Sequence, residues 1–155
     1  MDVRPAVFHP VGYVVVLLGV VGFIVSCFLP FYGGTILGAS GSISLYDSIR
    51  LPGSSTVEAL AGRLYLFAGA GTVGVVALLG IVRYRTWTPH ALVSAVAVWT
   101  LTWLGVLVSQ SGLFQHEIGY WTALVSLGVS VVGTCVVWVS TRSSNKRQPA
   151  QVLVS

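Results

Sequence analysis

Four long apolar runs, Val11–Tyr32, Leu64–Val82, Ala91–Phe114 and Tyr120–Thr141, contain no Asp, Glu, Lys, Arg or His. An α-helix needs about 20 residues to cross about 30 Å of hydrocarbon, and each run supplies about that many. Only 8% of the 155 residues are charged and the mean hydropathy is +0.88, where soluble domains carry about 25% charged residues. The composition is that of an integral membrane protein. A membrane β-barrel would show alternating strands of about 10 residues with polar inward positions, and continuous runs such as Val14-Val15-Val16-Leu17-Leu18 do not alternate. The expected fold is an all-α integral membrane protein, a single four-transmembrane-helix bundle over 1–155. Its spans are expected at about 11–32, 56–84, 89–112 and 119–141, with an extracytoplasmic loop at 33–55 and a basic tail at 142–155.

An ionisable residue inside the bilayer costs on the order of 3 kcal/mol by insertion scales and usually marks an ion path, a proton relay or a substrate site. With none in the four apolar runs, the sequence argues against proton-coupled export, intramembrane acid–base chemistry and most ion conduction. The charges collect instead at the span ends. Arg4, Arg83, Arg85, Arg142, Lys146 and Arg147 fall on one side, and Arg50 and Arg63, balanced by Asp47 and Glu58, fall on the other with His116 and Glu117. Positive residues favour the cytoplasmic side, so both termini and the 83–90 turn are expected in the cytoplasm of a multi-pass plasma-membrane protein. Arg83, Arg85, Arg142, Lys146 and Arg147 are read as membrane-surface anchors that contact anionic headgroups, not nucleic acid.

The loop between the first two spans carries its own pattern. Thr35-Ile36-Leu37 and Ser42-Ile43-Ser44-Leu45 read as two short strands joined by Gly38-Ala39-Ser40-Gly41, a small β-hairpin. Ser55-Thr56-Val57-Glu58 matches a capping box, which starts the second helix near Thr56, outside the hydrocarbon. Thr88-Pro89 opens the third helix, with Thr88 as N-cap and Pro89 at the first helical position. Trp87, Tyr120, Trp121, Trp138, Phe31 and Tyr32 read as interfacial aromatics. Trp99 and Trp103, one turn apart and well inside the third span, form a ridge that either fills the core or meets lipid or another subunit. Ala70/Gly74, Gly105/Ser109 and Ser126/Ser130/Thr134 are small-xxx-small positions that let helices approach and hydroxyls bond across them.

Chemistry-bearing motifs are sparse. Ile24-Val25-Ser26-Cys27 resembles a relaxed lipobox, yet Phe28-Leu29-Pro30 continues the apolar run, so Cys27 reads as an ordinary helix residue. Cys27 and Cys135 fall at opposite depths, which argues against a disulfide. His116-Glu117 lacks the further ligands of a metal site, and Gly69-Ala70-Gly71 sits in mid-span with no following Lys-Ser/Thr, so it is no phosphate loop. No nucleophile elbow or metalloprotease motif is present. No catalytic residue, cofactor or metal is expected.

Several four-span families resemble the chain only in outline. Small multidrug-resistance exporters depend on a Glu in the first span, which Val11–Tyr32 lacks. Gly80-Ile81-Val82-Arg83-Tyr84 is faintly similar to a Gly…Arg-Tyr pattern of fluoride channels but lies at the end of the second span. Claudin-like proteins share the topology without their paired loop cysteines here. Leu29-Pro30-Phe31-Tyr32 closing the first span, a Gly/Ser-rich outer loop and a Val/Ala/Gly-rich second span are similar to small uncharacterised four-span membrane proteins of actinobacteria. That resemblance covers the first half of the chain and implies an accessory subunit of a larger envelope complex, including lipid or substrate transporters. The expected function is thus a non-catalytic accessory or scaffold subunit in contact with membrane lipids and a larger membrane-protein complex. Trp99, Trp103, Ile43, Leu45 and Tyr46 are the expected contacts. The alternative is a small homo-oligomeric transporter or channel for a neutral or lipidic substrate.

Overall fold

The computed structural model describes residues 10–36, 39–48, 56–83, 87–110 and 115–146. In chain order the elements are α1 (Val11–Ser26), β1 (Pro30–Ile36), β2 (Ala39–Ser44), α2 (Leu45–Ser48), α3 (Thr56–Val82), α4 (Thr88–Gln110), β3 (Gln115–His116) and α5 (Ile118–Lys146). Three helices are long and apolar enough to cross a membrane, over Arg63–Val82, Thr88–Val108 and Ile118–Arg142. The fourth, α1, is apolar but has only 16 residues, about 24 Å at 1.5 Å per residue. The four pack in a ring: α1 lies between α5 and α3, and α4 closes the ring between α3 and α5.

The first helix is shorter than its apolar run because the run continues into a strand. Cys27, Phe28 and Leu29 make turn-type bonds back to Phe23, Ile24, Val25 and Ser26, and Pro30, which has no N–H to offer a helix, begins β1. The expected hairpin is there, displaced: its strands are Pro30–Ile36 and Ala39–Ser44, and Leu45 opens α2 instead of closing a strand. β1 also pairs antiparallel with β3, with Tyr32 opposite His116 and Gly33 opposite Gln115. The sheet order is β2-β1-β3, so the segment after α1 is stitched to the segment before α5. At the far end of the chain α5 runs to Lys146, so the first residues of the expected tail are helical.

The inner and outer helix faces differ in size more than in polarity. On α1 the buried residues include Gly12, Tyr13, Val16, Gly19, Val20, Phe23 and Ser26, while Val11, Val14, Leu18, Val21 and Val25 are exposed. In lipid the outside needs no polar side chains, and close backbone approach selects small residues for the inside. The α1–α5 contact is the tightest case. A Cβ at Gly12 would lie 2.6 Å from Val137 Cγ2 and 2.9 Å from Gly133 O, and one at Gly133 would lie 2.8 Å from both Gly12 O and Val16 N. A Cβ at Gly19 would meet Ser126 O at 2.7 Å, and one at Gly119 would meet Ser26 O at 3.0 Å. Gly12, Gly19 and Ser26 face Gly133, Ser126 and Gly119, an antiparallel seam that repeats every seven residues, the spacing that keeps one contact line along two coiled helices.

The hydroxyls expected to bond across helices do not. Ser126 donates to Thr122 O at 2.7 Å, Ser130 to Ser126 O at 3.0 Å and Thr134 to Ser130 O at 2.8 Å. Each satisfies its proton on its own helix, where the carbonyl four residues back is always within reach.

Candidate functional site

Small residues on two neighbouring helices leave a groove between them. Ala68, Gly69 and Thr72 on α3 face Ser94, Ala95, Val98 and Thr102 on α4, and Tyr65, Trp99 and Trp103 complete a cleft of about 460 Å³. On α3 the small residues recur three and four apart and so share one helix face. Thr72 and Thr102 donate to Ala68 O and Val98 O, each at 2.8 Å, so their protons are engaged and only oxygen lone pairs face outward. Among the described residues no Asp, Glu, Lys, Arg or His lines the cleft.

The two tryptophans form its inner wall and also fill the bundle. Trp99 is 3% and Trp103 8% exposed, and both rings pack on Phe23 of α1 with centroids 5.0 Å away. Of the two roles open to this ridge, core filling takes most of its area. The edge of Trp99 lies on the backbone gap at Gly69, where a Cβ would stand 2.6 Å from Cδ1 and 3.3 Å from Nε1. Nε1 is buried with no hydrogen-bond partner among the described residues. A buried donor left unpaired costs about 1–3 kcal/mol, and hydrocarbon offers no water to repair it.

A second constellation caps the bundle at the sheet end. The Arg63 guanidinium lies 4.1 Å from the Tyr46 ring centroid, and Tyr46 sits 5.0 Å from Phe28 and 6.4 Å from Phe67. α2 holds Tyr46 there: Ser44 Oγ accepts from the Asp47 N–H at 3.1 Å and donates to its carboxylate at 2.6 Å, and the Tyr46 N–H donates to Cys27 O at 3.0 Å. Of the expected contact residues here, Ile43 is 54% exposed, Tyr46 half-buried and Leu45 buried. The Ser44-Leu45-Tyr46-Asp47 cap has the same spacing as the expected Ser55–Glu58 box and could have been read the same way. Ser55 lies outside the described residues, as does the Glu58 side chain.

His116 and Glu117 join this sheet. The His116 ring packs edge-on against Tyr120 at 4.0 Å, and the Glu117 carboxylate lies against Gly33. Tyr32, in β1, has its phenol pushed above its ordinary pKa by burial and further by Tyr120. Phe31 and Tyr120 are not the interfacial aromatics they resemble in sequence. They are 0% and 9% exposed, and they pack together at 5.9 Å beneath the sheet. Trp87 and Trp121 are exposed near helix ends, as an interfacial belt requires.

The opposite end carries the described basic residues of the tail side. Arg142 stacks over Trp138 at 4.8 Å, and His90 meets the same indole edge-on at 5.1 Å. Arg83 is exposed at the end of α3. Arg85, Arg147 and the Lys146 side chain lie outside the described residues. Among the described residues no three His, Cys, Asp or Glu come together to hold a metal, and Cys27 and Cys135 are both free. No protein-family model, curated protein or solved structure matches the chain.

Proposed function

We propose that the chain is a non-catalytic accessory or scaffold subunit of a larger cell-envelope membrane complex, including one that transports a lipid or another substrate. It would lie in the plasma membrane with both termini and the basic end cytoplasmic and the sheet outside. The observation that carries this reading is a filled bundle axis beside an unfilled flank. Tyr13, Val16 and Phe23 of α1, Leu66, Ala70 and Val73 of α3, Leu92, Val96 and Trp99 of α4 and Leu127 of α5 form one buried cluster, which favours surface recognition over passage through the middle. Recognition of the partner would then fall to the exposed helix faces and to the cap around Ile43 and Tyr46.

Purification in mild detergent from native membranes should recover a larger protein stoichiometrically, and a photo-crosslinking residue at Ile43 should trap the same protein. A homogeneous monomer that crosslinks to nothing overturns the reading. The second reading, a homo-oligomeric carrier of a neutral or lipidic substrate, is favoured by the groove, whose described lining residues carry no charge. It predicts flux by the protein alone in liposomes.

A further inference from the structure

We infer that the groove between α3 and α4 is a binding site for one neutral lipid that carries a carbonyl or hydroxyl oxygen within the hydrocarbon core, and that the Trp99 indole N–H is the group that recognises this oxygen. The inference goes beyond the accessory role and does not depend on it.

Shape selects a lipid over a helix. An α-helix with side chains is about 10–12 Å across, so two turns of one would need roughly twice the available 460 Å³. A hydrocarbon chain or a flat ring on an isoprenoid tail fits. Ligand pockets of about 300–1,000 Å³ lined by apolar and aromatic groups with a few placed polar atoms are the usual form of a small-molecule site. The lining matches that description: Gly69, Ala68 and Ala95 give room, Tyr65 and the two tryptophans give aromatic walls, and the polar atoms are hydroxyls and the two indole N–H groups.

Depth selects the chemistry. Trp99 is the middle residue of the 23-residue α4, about 16 Å from either helix end at 1.5 Å per residue. Ester carbonyls of ordinary phospholipids lie at the interface and do not reach it. The acceptor must therefore be carried along the chain or on a buried ring. Thr72 and Thr102 have spent their protons on their own helices. Of the donors left on the lining, Tyr65, Ser94 and Trp103 lie toward the ends of the groove. The Nε1–H of Trp99, buried and unpaired, is the one at mid-depth that an incoming oxygen would meet after a small rotation of the ring away from Gly69. With no charged residue among the described lining, an anionic or cationic head finds no counterion there.

The test follows the indole N–H signals of the protein's five tryptophans by NMR in nanodiscs of saturated phosphatidylcholine, with Trp99→Phe assigning the relevant one. Two probes carry an acceptor at depth, a phosphatidylcholine with a mid-chain ketone and a benzoquinone with a short isoprenoid tail, and the same phosphatidylcholine without the ketone is the control. The Trp99 signal should move downfield and saturate with at least one probe. Which probe acts distinguishes an oxidised acyl chain from a ring carbonyl. Ala95→Leu, which fills the groove, should abolish the movement while the other indole signals stay in place and report an intact fold. No movement with either probe, equal movement with the control lipid, or movement that tracks protein concentration and so reports a second copy in the groove would each overturn the inference. Loss of the indole response with a partner still recovered defeats this site alone, and the converse defeats the accessory reading alone.

Discussion

A side chain at Gly133 would press on the backbone of the first helix, 2.8 Å from Gly12 O and Val16 N. Neither atom can move without shifting α1, so the cost is one of overpacking, about 1–3 kcal/mol or more. Gly133→Leu is accordingly expected to lower the thermal midpoint of the purified protein sharply or to prevent its accumulation. Gly128 is on the same helix with nothing within 4 Å of its missing Cβ. Gly128→Ala should leave stability unchanged or raise it by up to about 1 kcal/mol, the helix-propensity gain. Equal effects of the two substitutions on the midpoint would refute the α1–α5 seam. Gly12, Gly19, Ser126 and Ser130 are identifiable in the sequence as small residues in apolar helices. Their partners are not, since all four helices carry such residues and none states which neighbour it faces.

Elements were legible where the chain is punctuated and illegible where it is uniform. α3 starts at Thr56, next to the expected cap, and α4 starts at Thr88, one residue before the expected first helical position Pro89, and the lengths of the apolar runs give the number of helices. Faces are a different matter: Val14 and Val16 are two residues apart and equally apolar, yet one is exposed and the other buried. Periodicity of hydrophobicity has nothing to report when lipid is the solvent. The groove was only half legible for the same reason. Trp99 and Trp103 stand out in the sequence, but the glycine that receives the indole edge is on another helix. The third strand was missed because two residues, Gln115 and His116, give no strand pattern without their partner β1. The α2 cap gives a test at this scale. Ser44→Ala removes both hydrogen bonds to Asp47 and should cost about 1 kcal/mol, within the usual range for a lost cap. It should speed hydrogen exchange at the Asp47 amide while leaving amides of α5 unaffected, and a uniform increase would show that the cap is not a local unit.

At the scale of the molecule the charges separate by end. Among the described residues Arg63, Asp47, His116 and Glu117 are at the sheet end, and Arg83, His90 and Arg142 are at the other. The positive-inside rule turns that separation into a direction. In a chain freed of its two native cysteines, Ser42→Cys should react with a membrane-impermeant maleimide on intact cells, and Ser143→Cys should react only after permeabilisation. The reverse pattern would invert the proposed orientation. The ring of helices also has a direction in time. α1 is made first and its closest partner, α5, is made last, with residues 27–117 between them. At about 5–20 residues per second the first helix waits on the order of 5–20 s for that partner. Throughout the wait a helix of 16 residues, with Gly12 and Gly19 unopposed, sits in the bilayer as an unfinished interface. Synthesis of this protein therefore contains an interval in which an insertase, or any helix with a small-residue face, competes with α5 for the same seam. A ribosome that stalls before Ile118 leaves α1 available to that competitor indefinitely.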